Sequence, residues 1–454
     1  MKTPAASDRI PGSFRDPSGF VCFRNGKVYR YINVFGKPDF ERFCSSGLAD
    51  ELVKREWILP FEPAGNSGAY TVIEPEYVPF ITYPYEWSFS QLRDAAILTL
   101  DINLLALEYG FILKDASAFN IVFHRNRMVF IDHTSIVPYR EGDLWHAYKQ
   151  FCCQFCAPLL LMKYVDFRCL DLLKSDIDGI NLEFASRMLP WRSYFSLTSL
   201  LHIHLHARMD VRYSSAKTGC RRICSSKDKL RKMLMCLRYE LEKLSPDISS
   251  ALWYDYYSNT NYTDASFASK KKAVADFCRR KSPQNLLDLG ANSGVFSEIA
   301  LEHAKKVISA DYDAGAVEQL YRLSCKRDGR IIPVRLDLFN PAPSLGIFNE
   351  ERASFFERCK ADCVLGLALI HHLRVTGNWR IADIVKLFSV TGNSALVEFV
   401  PLEDSQMRRL VRGREMIYSD WTLQNVVREF EQVFRHTAVI RIDGTQRVLI
   451  ELEK

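Results

Sequence analysis

The residues best suited to chemistry lie in Asn285–Gly294, NLLDLGANSG. Two leucines lead into Asp288, and Gly290, Asn292 and Gly294 then space out a turn before Val295–Ala304 takes up a helical pattern. A buried strand that enters such a turn and then a helix can hold a nucleotide-like ligand against bare backbone. Glycine removes the Cβ where a ligand must approach, and the helix N-terminus offers N–H groups without intrahelical acceptors. Asp288 either faces that ligand or caps the turn. A second acid, Asp311, ends the next strand-like run, VISADYD, where a carboxylate can accept both hydroxyls of a ribose. His371 and His372 in LALIHHL follow a later strand. An imidazole at a strand end can serve as a general base near neutral pH, or simply line a pocket.

A second constellation lies in Phe111–Val137, FILKDASAFNIVFHRNRMVFIDHTSIV. Asp115 is followed five residues later by Asn120, and Asp132 ends a strand. This resembles the catalytic loop and metal-binding Asp of protein kinases and aminoglycoside-phosphotransferase-like kinases, in which an Asp orients the hydroxyl and an Asn and a second Asp hold magnesium. The sequence departs from that pattern. Leu113-Lys114-Asp115 stands in place of His-Arg-Asp, and Asp132 is followed by His133-Thr134. The first hundred residues contain no Gly-rich phosphate loop and no clear strand-borne lysine. The alternative is that Asp115 and Asn120 satisfy a tight turn. Cys152, Cys153 and Cys156, and His202, His204 and His206 in LHIHLHA, contain metal-type residues, but no second Cys/His pair stands at ligand spacing, and no metal is expected.

Positioning these groups needs two kinds of scaffold. From 285 onward the pattern alternates strand and helix. Strands are expected at 285–289, 306–310, 330–335, 361–366, 394–400, 434–441 and 446–452, with helices at 294–304, 314–326, 350–359, 377–389 and 421–433. Such alternation means a parallel sheet covered on both faces. The final Val439–Leu452 hairpin, turning at Asp443-Gly444, puts one antiparallel strand at the sheet edge. Ahead of it the pattern is α+β. Asn25-Gly26 marks a hairpin over Phe20–Asn33, Pro38–Trp57 reads as helix, Tyr70–Tyr85 as strand, and Ser88–Gly110 as an amphipathic helix. Residues 143–250 read as largely helical. The expected organisation is a loose 1–20, an α+β domain over 21–250, and an α/β domain over 255–454. Aromatic and small polar residues crowd Trp253–Lys272, suited to packing over a ligand or between domains. Basic residues cluster in Tyr213–Lys232 and in the Pro401–Trp421 insert, the latter read as a substrate lid or a surface helix.

At 454 residues the chain can bury two cores. A net charge of +6 is small for that length and gives no nucleic-acid signal. No run of about 18 apolar residues suggests a membrane span. The first residues lack the apolar core of a secretory signal, and the thirteen cysteines are read as reduced thiols of a cytoplasmic protein.

The Asp-Leu-Gly-Ala-Asn-Ser-Gly turn, the element order and the terminal hairpin resemble a class I S-adenosylmethionine-dependent methyltransferase over 255–454, with a seven-stranded Rossmann-like sheet. The resemblance implies S-adenosylmethionine as cofactor, bound by Asp288, Gly290, Asn292, Gly294, Asp311 and Asp337, the last at the adenine amine. Asn292 stands where this family usually has Gly, and Asn tolerates left-handed backbone. His371 and His372 are the candidate catalytic residues. LKDASAFN, FIDHTS, NTNYTDA, DLGANSG, ALIHHL and VEFVP together resemble two-part bacterial methyltransferases of the NoeA family, proteins of host-specific nodulation in rhizobia. That implies methyl transfer to a small-molecule or saccharide-type acceptor. The rival readings are a kinase fused to a methyltransferase with active phosphotransfer, and a non-catalytic S-adenosylmethionine-binding regulator.

Overall fold

The computed structural model describes residues 8–209, 226–246 and 262–454. Residues 253–261 of the aromatic run, and Arg221 and Arg222 of the basic cluster, lie outside them. The chain divides into two units, Met1–Asp247 with Ala342–Ala353, and Ile248–Pro341 with Ser354–Lys454.

The first unit begins with an antiparallel sheet. Strands β1 (Gly19–Arg24) and β2 (Lys27–Ile32) form the expected hairpin, with Asn25 and Gly26 at φ +53° and +77°. Strands β3 (Phe61–Ser67) and β4 (Tyr70–Pro75) complete the order β1-β2-β4-β3. The strand expected over 70–85 stops at Pro75, because Pro75, Pro79 and Pro84 remove ladder donors. β3 was not expected. It holds Pro63 and Gly65, and its pairing slips between Pro63 and Asn66. The single helix expected over 38–57 is two, Lys37–Ser45 and Leu48–Lys54, because Gly47 turns left-handed at φ +79°.

The long helix Phe89–Glu108 is set by a capping box at Ser88 and Gln91 and stopped at Gly110, φ +81°. It delivers the chain into β5 (Phe111–Leu113), the hairpin β6 (Ile121–His124) and β7 (Arg127–Phe130), and β8 (Ile136–Pro138), which pairs with β5. Helices follow, including Lys227–Glu242, which buries Leu230, Leu234, Leu237 and Leu241 and leaves Lys229, Arg231 and Lys232 exposed. Residues 342–353 pack into this unit. Glu351 accepts Arg15 Nη2 at 3.1 Å, and the Arg352 guanidinium lies 4.5 Å above the Phe119 ring.

The second unit holds seven strands, β9 (Asn285–Leu289), β10 (Lys306–Asp311), β11 (Ile331–Arg335), β12 (Ala361–Gly366), β13 (Gly392–Phe399), β14 (His436–Arg441) and β15 (Val448–Glu453). Their order is β11-β10-β9-β12-β13-β15-β14, parallel from β11 to β13, with β15 antiparallel to both neighbours. This is the expected α/β fold, a mostly parallel seven-stranded sheet. The antiparallel strand is not at the edge, as expected, but one place in. Burial decides it: β15 is covered along nearly its whole length, whereas β14 is half exposed and tolerates an open side. The helix expected over 350–359 shrinks to Phe355–Arg358, and that over 377–389 lies at Ile381–Thr391. Leu286, Val307, Ile331 and Leu396 form one apolar layer with Phe277 and Phe296. Strand order reverses between β9 and β12, which opens a crevice at the carboxyl ends of those strands, where open α/β sheets place ligands. Among the described residues no helix is long and apolar enough to cross a membrane.

Candidate functional site

The crevice is floored by the turn after β9. Gly290 and Gly294 take φ +74° and +88°, and Asn292 takes +49°, so this variant turn keeps its left-handed step with Asn. Gly294 is required twice over: a Cβ there would meet Leu320 and Leu323 methyls at 2.8 Å. The turn is tied to β10 by Gly290 N and Ala291 N, which donate to the Ala310 carbonyl at 2.9 and 3.1 Å.

Two carboxylates border it. Asp288, buried at the end of β9, accepts the Ser297 hydroxyl at 2.7 Å, which itself accepts from Ser309 Oγ at 2.7 Å. Asp311 accepts Asn292 N and Asp313 N, both at 2.8 Å, and so fixes the turn to the end of β10. Burial pushes both acids up to about 6, only partly offset by these hydrogen bonds. Carboxylates so short of compensation favour a ligand that brings hydroxyl donors or positive charge. Asp337 follows β11, where its Oδ1 accepts Phe339 N at 2.9 Å, and it adjoins Asp311 through Leu336 N, which donates to the Asp311 carbonyl at 2.9 Å.

The opposite wall is the loop after β12. Ala368 is held at φ +49°, strained for a residue with a side chain. Its N–H donates to Glu398 Oε2 at 2.9 Å. Glu398 is fully buried in β13 and gathers Lys270 Nζ at 2.6 Å, the Tyr262 hydroxyl, and Arg447 Nη1 at 3.5 Å. Arg447 is clamped from behind by both oxygens of Asp404, at 2.9 and 3.1 Å. Burial alone would raise Glu398, but the charges of Lys270 and Arg447 outweigh it and hold its carboxyl below the ordinary range. Burial lowers Lys270 against the pull of Glu398 and, more weakly, Asp288. A glutamate in the apolar run ALVEFV must find such partners, and its type in that run is the signal the sequence carries. Lys270 and Arg447 gave no comparable signal.

His371 and His372 sit on the short helix Ile370–Val375 beyond β12, not on the strand end, with ring centres 4.3 Å apart. Burial, then the adjacent His372, Arg447 and Lys270, drives His371 well below its ordinary value; burial and Arg447 bring His372 to about 4. Both are uncharged at neutral pH. An imidazole of that kind accepts a hydrogen bond readily but is a weak proton acceptor.

In the first unit Asp115, Asn120 and Asp132 come together around the β6–β7 hairpin, and Ile131 N donates to the Asn120 carbonyl at 2.8 Å. Asp115 Oδ1 accepts Ser117 N at 2.9 Å and Gln150 Nε2 at 2.8 Å; burial and then Asp132 raise it. Asp132 is answered by Arg30, on β2, whose Nη1 lies 2.7 Å from Oδ1 and 3.1 Å from Asp16 Oδ2. Thr134 and Ser135 hydroxyls add hydrogen bonds. Burial would raise Asp132, yet Arg30 and these donors bring it down to about 2. The histidines of LHIHLHA are used within the core: His202 Nδ1 meets the Tyr148 hydroxyl at 2.6 Å, and His204 lies between Ser186 and Ser193. Among the described residues no group of three or more His, Cys, Asp or Glu is arranged to hold a metal ion.

No family model matches the chain. Nodulation protein NoeA of Rhizobium meliloti (strain 1021) is 34% identical to it, across 98% of this chain and 96% of that protein. Among solved structures, N-methyltransferase NodS from Bradyrhizobium japonicum WM9 is 14% identical, covering 42% of this chain and 98% of NodS with a TM-score of 0.30. The bifunctional kinase-methyltransferase WbdD is 13% identical, covering 47% of this chain and 45% of WbdD with a TM-score of 0.31.

Proposed function

The chain belongs to the family of nodulation protein NoeA, and from that premise we propose that it is an S-adenosylmethionine-dependent methyltransferase acting in host-specific nodulation. The observation that carries this reading is the bare-backbone turn at Gly290–Gly294, bracketed by two undercompensated carboxylates at the ends of adjacent strands. A sulfonium cofactor with an ammonium and a ribose diol supplies the positive charge and hydroxyl donors that such a site is short of. When bound, it supplies an electrophilic methyl group that passes in line to a nucleophile.

The protein's share is positioning and exclusion of water. Asp311 would hold the ribose hydroxyls and Asp288 the amino-acid end. Asp337, next along the sheet, is the candidate for the adenine amine. Glu398 holds the loop at Ala368 and keeps Lys270 and Arg447 in place behind it. His371 and His372 accept a hydrogen bond from the acceptor's O–H or N–H and aim its lone pair. The acceptor is of small-molecule or saccharide type. The residues 21–250 form a substrate-selecting or regulatory domain, kinase-like in outline, that does not transfer phosphate. Arg30 supports this, because Asp132 already has its countercharge.

Calorimetric titration of S-adenosylmethionine into wild type and an Asp311→Ala variant tests the cofactor. Binding by wild type and its loss in the variant are expected, and no binding by wild type defeats the reading. Labelled cofactor with cell extract, comparing wild type with Asp288→Ala, then identifies the methylated product by mass spectrometry. Cofactor binding without any labelled product would favour the non-catalytic regulator.

A further inference from the structure

After β13 the chain runs through the helix Ser405–Val411 and a short 3-10 turn, Glu415–Tyr418. Its footing is firm. Met407, Val411, Tyr418 and Trp421 are buried, the Trp421 indole donates to the Val400 carbonyl at 2.9 Å, and Tyr418 Oη donates to Asn378 Oδ1 at 2.8 Å. From that footing Arg408, Arg409, Arg412 and Arg414 all project as exposed residues. None of the four pairs with a carboxylate among the described residues: Arg409 reaches only Gln406 Oε1 at 3.5 Å and Arg414 the Leu410 carbonyl at 3.1 Å. The one acid within the stretch, Glu415, turns its carboxylate to Gly413 N at 3.1 Å. At the tip, Met416 and Ile417 are 87% and 62% exposed.

Unpaired positive charge calls for an anionic partner. The two apolar side chains narrow the choice. A soluble polyanion or nucleic acid would gain nothing from Met416 and Ile417, which offer neither hydrogen bonds nor a flat ring for stacking. A bilayer surface uses both, with guanidiniums at the phosphates and apolar side chains at the acyl boundary. We propose that Ser405–Ile417 docks this protein onto an anionic lipid surface.

The test is co-sedimentation of the full chain with phosphatidylcholine vesicles, with and without phosphatidylglycerol. Binding is expected only with phosphatidylglycerol. An Arg408→Ser, Arg409→Ser, Arg412→Ser variant should partition about a hundredfold more weakly, at about fivefold per arginine near an anionic surface. A Met416→Ser, Ile417→Ser variant should lose about tenfold or more, from two lost apolar anchors. Melting temperatures matching wild type keep both comparisons interpretable, because every substituted side chain is exposed. The proposal is overturned if the wild type ignores phosphatidylglycerol or binds equally without it, or if either variant partitions like wild type. It is also overturned if heparin binds as tightly as the vesicles and the Met416, Ile417 variant loses nothing.

Discussion

Asp288 should weaken the fold it sits in, and replacing it should show by how much. Its carboxyl is raised from 3.8 to about 6, chiefly by burial. At about 1.4 kcal/mol per tenfold in proton affinity, that gap is about 3 kcal/mol. The sign follows from proton counts. A folded-state value above the unfolded one means the native chain holds the extra proton between pH 3.8 and about 6, so stability falls as pH rises through that window. Above it the full penalty is present, and below it none. Asp288→Asn removes the ionisation and keeps an oxygen for the Ser297 hydroxyl, though its new amide protons need partners at about 1 kcal/mol. The variant should therefore be more stable than wild type by about 2 kcal/mol at neutral pH, with a smaller or reversed difference near pH 4. Denaturant unfolding across that range, following the transition of the second unit, measures it. Cofactor affinity should fall in parallel, at least about tenfold for a lost charged contact. A variant less stable than wild type at neutral pH, or a difference independent of pH, would refute the argument.

Three further outcomes are expected. Glu398→Ala leaves Lys270 and Arg447 buried without their shared partner and should destabilise the second unit by about 3–5 kcal/mol, measured by denaturant unfolding; a loss below about 1 kcal/mol would mean Asp404 alone suffices. Arg30→Met removes the cation from Asp132, whose carboxyl is held down to about 2. That depressed value contributes stability above pH 3.8 that is lost as pH falls through about 2, so the variant should lose most at neutral pH and converge with wild type in strong acid. Gly294→Ala faces both φ +88° and the Leu320 and Leu323 methyls, whereas Asn292→Gly suits the left-handed φ and gives up the Ser293 N–H bond to Asn292 Oδ1 at 2.7 Å; thermal melting should show a marked loss for the first and a smaller one for the second.

The second unit was legible because its strands are apolar runs separated by helix periods, and each strand that carries the site was found to within a few residues. The placement of β15 was not, since a hairpin pattern fixes which strands pair but not which of the two meets the parent sheet. Gly47 was passed over because one glycine in an apolar helical pattern does not announce its sign of φ. The turn acids were visible because their type and position matched a chemistry. Lys270, Arg447 and Asp404 were invisible for the opposite reason: they lie 128, 49 and 6 residues from Glu398 in sequence, and only folding makes them a group. Arg30 is hidden likewise, 102 residues before Asp132 on the β1–β2 hairpin.

Residues 342–353 belong with the first unit although second-unit residues flank them on both sides. During synthesis this sets a schedule. The first unit cannot seat Arg352 on Phe119, or Glu351 on Arg15, until about a hundred residues beyond position 247 have been made. By then β9, β10 and β11 have already emerged. The first unit therefore closes only after part of the second has been made, and no single cut of the gene separates the two.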